Sequence, residues 1–252
     1  MFNYILADYK RVISRIPRIV ALVIFEAVFA YVVLNKWHKA TGTFTSVALL
    51  ENSDFVFSFL FAYVMSLVDF VHSFSYDFNA KTVQVALGIG ISRLQVILAK
   101  LIQTTLVIFT DLLVTYGVFG ILCAITGTTL AGHQTLYLIF NGLGCVLLPS
   151  LSVCLVMPLV FRVQNMPMSM IAYFAMVIGI PSIILRWITR LGPAFLVRLE
   201  LDRLAHDSCV GIVVNNVITG NFQLMPLIGV IAWYAIGIYM TWLCFRKMEL
   251  DF

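Results

Sequence analysis

Apolar residues run along this chain in six long stretches that polar segments separate. Each stretch has about 20 residues, the length at which a helix crosses the hydrocarbon core of a bilayer. Barrel strands would alternate polar and apolar residues, and these stretches do not. The pattern predicts an all-α, polytopic membrane protein in which residues 1–252 form a single transmembrane domain. The six predicted spans are about 19–35, 55–75, 101–126, 135–161, 168–186 and 223–244.

The N-terminal segment, residues 1–17, has a different periodicity. Apolar side chains recur three and four positions apart, and the charged residues Asp8, Lys10, Arg11 and Arg15 lie between them. This spacing predicts an amphipathic helix that lies in the membrane interface with its basic side toward the lipid headgroups. Pro17 then allows the chain to bend into the first span. The apolar positions are Phe2, Ile5, Leu6, Tyr9, Val12, Ile13 and Ile16.

The distribution of basic residues orients the spans. Of the 16 Lys and Arg residues, ten fall on one side of the predicted spans and six on the other. Basic residues are enriched in cytoplasmic segments, so both termini are predicted to be cytoplasmic. This orientation places the long segment 76–100 in the cytoplasm and the long segment 187–222 outside the cell.

Composition supports the same class. The chain is 62% hydrophobic and 11% charged, which leaves too few charges to cover a soluble protein of 252 residues. The net charge of +4 follows the topology and indicates no nucleic-acid partner. Five cysteines without CxxC spacing, mostly inside apolar stretches, predict neither a metal site nor a disulfide.

The inner segment carries the clearest local signals. Asp77 or Asn79 can cap a short helix, and Gly88 is placed to end it. Ser92 and Gln95 have the spacing of a capping box, so a second helix is predicted to begin there and continue into span three. Two interpretations stay open, a solvated connecting loop and a docking surface for a cytoplasmic partner.

This inner segment resembles the permease subunit of type-2 ATP-binding-cassette exporters, in particular the short bacterial permeases of bacteriocin or lantibiotic immunity and of peptide export. The six-span layout, the amphipathic N-terminal helix and the long outer segment before the last span resemble that family as well. The residues that carry the local resemblance are Asp77, Phe78, Lys81, Thr82, Gly90, Ile91, Ser92, Arg93 and Lys100.

The resemblance implies a function as well as a fold. The inner segment would be the coupling helix region that fits into a cytoplasmic ATPase, and two permeases, identical or homologous, would enclose a path in the plasma membrane. The cargo would be an amphipathic or hydrophobic peptide or a lipid-like compound. The chain contains no GxxxxGK[ST] phosphate loop, so ATP and Mg²⁺ would bind in the partner and this chain would be no enzyme. The coupling residues would be Asp77, Phe78, Lys81, Thr82, Gly90, Ser92 and Arg93.

Two acidic residues, Glu26 and Asp111, lie near the middle of predicted spans one and three. A charge at that depth costs roughly 2.5–3.5 kcal/mol or more. No Lys or Arg is predicted at the same depth, so either carboxyl would be protonated or the two would share a proton. They are candidates for the substrate path, and the open alternative is a neutral acid bonded to a neighbouring hydroxyl. Asp69 is expected at the inner interface, near Lys81 or Arg93.

Three prolines and a group of polar residues in the outer segment give two further predictions. Pro149, Pro158 and Pro181 should kink their helices. His206, Asp207 and Glu200 do not have the spacing of a metal site.

A secondary transporter or channel that works without ATP is the alternative function. An intramembrane enzyme is disfavoured because no span pairs a histidine with a nucleophile.

Overall fold

The computed structural model describes residues 2–39, 56–79, 82–88, 90–128, 132–191, 201–221 and 223–246. Throughout these ranges the regular elements are helical, as predicted. The helices are α1 (Phe2–Ile13), α2 (Ile16–Lys39), a π-helix (Val56–Met65) that continues as α3 (Ser66–Asn79), α4 (Thr82–Gly88), α5 (Arg93–Thr126), α6 (Gly132–Val163), α7 (Met166–Val177), α8 (Ile180–Leu191), a 3-10 turn (Leu201–Leu204), α9 (His206–Thr219) and α10 (Leu224–Arg246).

Four helices of this described part are long and apolar enough to cross a membrane. They are Ile16–Asn35, Arg93–Thr126, Gln134–Val163 and Leu224–Arg246, which coincide with predicted spans one, three, four and six. Their outer faces expose large apolar side chains such as Val23, Ile121 and Ile231, each about 60% exposed. Such a surface would be unstable in water, so the structure fits an all-helical, membrane-embedded protein.

Predicted span five, 168–186, is broken in the structure. α7 and α8 meet at an angle of 58°, and together they amount to a fifth candidate span. Gly179 between them has a φ of +81°, which interrupts the helical hydrogen bonds. Pro181 is the second residue of α8, where a missing N–H removes no helical bond. By contrast, α6 continues through both Pro149 and Pro158.

The order of contacts shows the directions of the first helices. Arg18 and Glu26 of α2 bond to Asp111 and Thr115 of α5, so these two helices run parallel. The centre of the Phe61 ring lies 6.0 Å from that of Phe25, and Asp69 accepts a hydrogen bond from Arg18. The π-helix and α3 therefore run antiparallel to α2.

The later helices continue this alternation. The Tyr116 hydroxyl near the end of α5 donates to the carbonyl of Leu138 near the start of α6, at 2.7 Å. Further along, the rings of Phe161 in α6 and Phe245 in α10 stack at 4.8 Å, close to the start of α5. α6 and α10 therefore run parallel to each other and antiparallel to α5.

α1 is the predicted amphipathic helix, and it packs against α5. Its buried residues are Ile5, Asp8 and Val12, and the Tyr9 hydroxyl lies 2.7 Å from the Thr110 hydroxyl of α5. Phe2 and Leu6 remain exposed on the opposite side. The structure therefore attaches α1 to the helix bundle, while its placement in a membrane interface remains a prediction.

Close packing of α6 and α10 depends on a glycine. A Cβ at Gly237 would lie 2.7 Å from Cys154 Sγ and 2.9 Å from the Cys154 carbonyl oxygen. A backbone atom cannot move aside as a flexible side chain can, so any side chain at this position separates the helices.

Gly237→Ala should therefore destabilise the protein, by about 1–3 kcal/mol, although alanine favours a helix over glycine by about 1 kcal/mol. Thermal unfolding of the purified protein in detergent measures the change. Gly117→Ala is the matched control, because its Cβ would meet nothing within 4 Å and should leave stability equal or higher. Equal stability of the two variants would contradict the close approach.

Candidate functional site

The predicted inner corner between span two and span three forms as a short helix, a turn and a capped second helix. α4 ends at Gly88, and Gly90 adopts a φ of +90°. The amides of Gly90 and Ile91 donate to the carbonyls of Leu87 and Ala86, which closes the end of α4. Ser92 Oγ accepts from the backbone N–H of Gln95 at 3.3 Å, and the backbone N–H of Ser92 donates to Gln95 Oε1 at 3.0 Å. The predicted capping box is confirmed.

One side of the corner is buried and the other is exposed. Ala86 is buried in the same apolar cluster as Phe74 and Val96. Val85 and Leu94 point away from this cluster and are 62% and 44% exposed. The corner is therefore fixed to the bundle on one side and presents two large apolar side chains on the other.

Arg93 connects the corner to the last helix. Its Nη1 donates to the carbonyls of Phe245 and Arg246, both at 2.7 Å, at the end of α10. Its guanidinium also lies 5.5 Å from the centre of the Phe245 ring. A cation at this position satisfies carbonyls that have no helical partner and opposes the negative end of the helix dipole. Arg93 therefore holds the start of α5 and the end of α10 together.

The other residues of the local resemblance are placed only in part. Asp77 and Phe78 lie in the last turn of α3, and Thr82 is the first residue of α4. The side chains of these three residues and the whole of Lys81 lie outside the described residues. Gly90, Ser92 and Arg93 lie together at the corner.

A buried ion cluster joins α2, α3 and α5. Arg18 Nε donates to Asp69 Oδ1 at 2.9 Å, and Arg18 Nη2 donates to Asp111 Oδ1. Arg18, Asp69 and Asp111 are each no more than 2% exposed. Within the described ranges, the second carboxylate oxygens of both aspartates have no hydrogen-bond partner. One guanidinium therefore serves two carboxyl groups.

The expectation that Asp111 has no cation at its depth is wrong. Asp111 lies near the middle of α5, which has 34 residues, whereas Arg18 lies near the start of α2. Because these two residues are bonded, the start of α2 lies level with the middle of α5. Counting residues from a predicted span boundary cannot reveal this offset. The stagger of the two helices, set by tertiary packing, brings the pair together.

Glu26 bonds to a neighbouring hydroxyl, which was the second of its two interpretations. Thr115 Oγ1 donates to Glu26 Oε1 at 2.6 Å, and the same hydroxyl contacts the Asp111 carbonyl at 3.0 Å. Thr115 thus links Glu26 to the ion cluster, and no direct bond between the Glu26 and Asp111 side chains is described.

Asp69 was expected near Lys81 or Arg93 at the inner interface, and its described partner is Arg18, while Lys81 lies outside the described residues. Asp69 is buried. The neighbouring His72 contacts the Val68 carbonyl of its own helix at 2.9 Å. The apolar environment requires a buried carboxylate to have a partner, and Arg18 lies nearest along the bundle.

A second buried ion pair was missed at the sequence level. Lys100 Nζ donates to Asp8 Oδ2, and Arg11 also pairs with Asp8. The only signal was that Asp8 lies three positions after Ile5 and four before Val12, on the apolar face of α1. Lys100 therefore attaches α1 to α5, in addition to its place in the resemblance motif.

At the opposite end, Ser182, His206 and Asp207 meet around the break between α7 and α8. Ser182 Oγ donates to Asp207 Oδ1, and His206 Nε2 lies 3.0 Å from the Met176 carbonyl. His206 Nδ1 is 3.8 Å from Asp207 Oδ1. No group of three or more potential metal ligands occurs among the described residues, and Glu200 lies outside them. The serine bonds to the aspartate instead of the histidine, so this group has no nucleophile–base contact.

No protein-family model matches the sequence, and a search of curated proteins finds no match either. The assignment of function therefore depends on the chain's own residues and geometry.

Loss of Arg18 should be strongly destabilising. Arg18→Gln leaves two buried carboxyl groups without their cation, and breaking a buried pair costs about 3–5 kcal/mol. Unfolding by heat or by sodium dodecyl sulfate, followed in detergent by circular dichroism, measures the loss.

Two further variants separate charge from packing in this test. Lys10→Gln, at an exposed position of α1, is the control and should change stability little. Arg18→Met combined with Asp69→Asn and Asp111→Asn should recover much of the lost stability, because no charge remains buried. A loss in Arg18→Gln no larger than in Lys10→Gln would contradict the role of the cluster.

His206 should make the stability of the protein depend on pH. Burial lowers the pKa of His206 below its ordinary value of 6.5, and the carboxylate of Asp207 opposes this only in part. The unfolded chain then binds a proton that the folded protein does not, so stability should fall as the pH drops below 6.5 toward the folded pKa. Unfolding curves between about pH 8 and about pH 5 measure this slope. His206→Gln should flatten it, and an unchanged slope would contradict the assignment.

Proposed function

We propose that this chain is the transmembrane permease subunit of an ATP-driven exporter of the type-2 ATP-binding-cassette class. In this proposal, a cytoplasmic ATPase docks at the inner corner, and its closure moves the helices of the permease. The cargo is an amphipathic or hydrophobic substrate, such as a peptide, an antimicrobial peptide or a lipid-like compound, which leaves the cell or its membrane.

The proposed topology has six spans with both termini in the cytoplasm of a bacterial cell. The alternating directions of α2, α3, α5 and α6 support this arrangement. The π-helix with α3 would be the second span, and the bent pair α7 and α8 the fifth. Ten of the 16 basic residues would then face the cytoplasm, as the positive-inside rule requires.

The observation that carries the proposal is the shape and exposure of the inner corner. The short helix, the left-handed Gly90 that follows it and the capped start of α5 form a corner of defined backbone geometry. Val85 and Leu94 expose apolar surface at this place, where a free connecting loop would expose polar residues. A partner that covers these side chains would gain the free energy of burying them.

The contacts of the corner offer a route for transmitting movement. Arg93 ties the start of α5 to the end of α10, and Asp111 ties the middle of α5 to α2 and α3 through Arg18. A helix of 34 residues is about 51 Å long and does not bend easily along its length. A push on the corner would therefore displace several helices together.

The partners follow from what the sequence lacks. Because the chain contains no phosphate loop, ATP and Mg²⁺ would bind in the separate ATPase subunits. A second permease, either a copy of this chain or a homologue, would complete the translocation path.

The buried ion cluster favours one alternative function, an ATP-independent secondary transporter or channel. Ionisable groups inside a membrane domain are often part of ion or proton pathways. Under this alternative, transport would follow a proton or ion gradient and continue without ATP. Transport assays in liposomes with an imposed proton gradient, with and without ATP and the ATPase, separate the two functions.

Disruption of the corner should weaken the ATPase complex without preventing membrane insertion. The chain is co-expressed with candidate ATP-binding-cassette ATPases, selected by a phosphate loop in their sequence, and ATPase binding is titrated in liposomes. Val85→Glu should weaken binding about tenfold, equivalent to about 1.4 kcal/mol, because it places a charge in the apolar contact.

The control for this experiment is Val85→Thr, which keeps the shape of the side chain and should bind nearly as well as the natural chain. Deletion of residues 79–90, or substitution of Arg93, should uncouple ATP hydrolysis from transport while the protein stays in the membrane. Transport by the purified chain with no ATPase present would contradict the proposal.

A further inference from the structure

A cleft of about 330 Å³ opens between the π-helix, α6 and α9. Small-molecule sites have volumes of roughly 300–1,000 Å³, so the cleft can enclose a compact ligand or one part of a larger one. Its apolar wall includes Ala62, Leu148, Val210, Val214 and Ile218. Its polar residues are Tyr63, Tyr137, Asn141, Asp207 and Asn215.

Asp207 gives the cleft its charge. It is the one acidic residue, and no Lys or Arg accompanies it, among the described residues that line the cleft. Asp207 lines the cleft, and its side chain is 22% exposed. It lies in the first turn of α9, where the helix dipole stabilises an anion, and Ser182 Oγ holds its Oδ1.

The neighbouring histidine does not cancel this charge. His206 Nδ1 lies 3.8 Å from Asp207 Oδ1, within the range of an ion pair if the ring were protonated. Burial lowers the pKa of His206 below 6.5, so the imidazole is neutral at neutral pH. The cleft therefore keeps a net negative charge.

The break between α7 and α8 makes room for this carboxylate. A Cβ at Gly179 would lie 2.5 Å from Asp207 Oδ2, so a side chain at this position would displace the carboxylate. The same residue has the positive φ that bends the helix pair. The bend and the position of Asp207 thus have a common structural cause.

We propose that this cleft binds an amphipathic amine, with its ammonium group against Asp207 and its apolar body against the wall of the cleft. Tyr63 and Tyr137 also line the cleft, and tyrosine is one of the aromatic residues that attract a cation. The inference deepens the proposed function by naming a cargo class, and it rests on that function only for the transport step. Glu26 and Asp111, the candidate path residues from the sequence, do not line this cleft.

The test measures equilibrium binding of radiolabelled phenethylamine, which is protonated at neutral pH. The full-length protein is held in nanodiscs of zwitterionic lipid, and no ATPase is present. Phenethyl alcohol and hydrocinnamate, the neutral and anionic analogues, are added as competitors. Saturable binding that phenethylamine displaces at least tenfold better than either analogue is expected.

Three variants locate the binding in the cleft. Asp207→Asn should weaken binding about tenfold, because it removes the charge and keeps a side chain that can still accept from Ser182. Gly211→Leu should abolish binding, because Gly211 lines the cleft and its Cβ would enter open space. Gly120→Leu is the matched control, since its Cβ also meets nothing within 4 Å and it does not line the cleft.

Equal binding of phenethylamine and phenethyl alcohol would overturn the inference. Wild-type affinity in both Asp207→Asn and Gly211→Leu would overturn it as well. Amine binding that persists in a chain with no response to any ATPase would leave this site intact and count against the proposed function alone. ATP hydrolysis coupled to this chain, together with no amine binding, would support the proposed function and overturn the amine site.

Discussion

Arg18 holds the carboxyl groups of Asp69 and Asp111 inside a bundle whose described surface is largely apolar. Such surroundings do not solvate an unpaired charge, so each aspartate must lie within hydrogen-bond distance of the guanidinium. This requirement fixes the level of α3 and α5 against the start of α2. Apolar contacts alone allow helices to slide, whereas a guanidinium with directed donors permits few registers.

α5 makes polar side-chain contacts with several other helices of the described bundle. At successive levels it meets the end of α10 through Arg93, α1 through Lys100, and α2 with α3 through Asp111. The Tyr116 hydroxyl then joins it to α6. Each contact links α5 to a different helix, so a displacement at its N-terminal end would reach most of the described bundle. The proposed coupling to an ATPase depends on this connection.

The polar groups around the break between α7 and α8 differ from the ion cluster in their exposure. There the chain breaks at Gly179, and the polar groups around the break lie partly open at a cleft and are less enclosed than the ion cluster. The buried ion cluster connects three helices, while the carboxylate of Asp207 is partly exposed, as the proposed cation site requires. A structural ion pair and a binding site need different exposures, and these two groups differ in that way.

The sequence determined the helical class, four of the spans, the amphipathic α1 and the capping box at Ser92, because each depends on residues close together along the chain. The level of Asp111, the partner of Asp69 and the pair of Lys100 with Asp8 were decided by tertiary structure alone. Their partners lie 51 to 93 positions apart, and the stagger between helices brings them together. Hydropathy measures how apolar a segment is, and it contains no information about the offset between two packed helices.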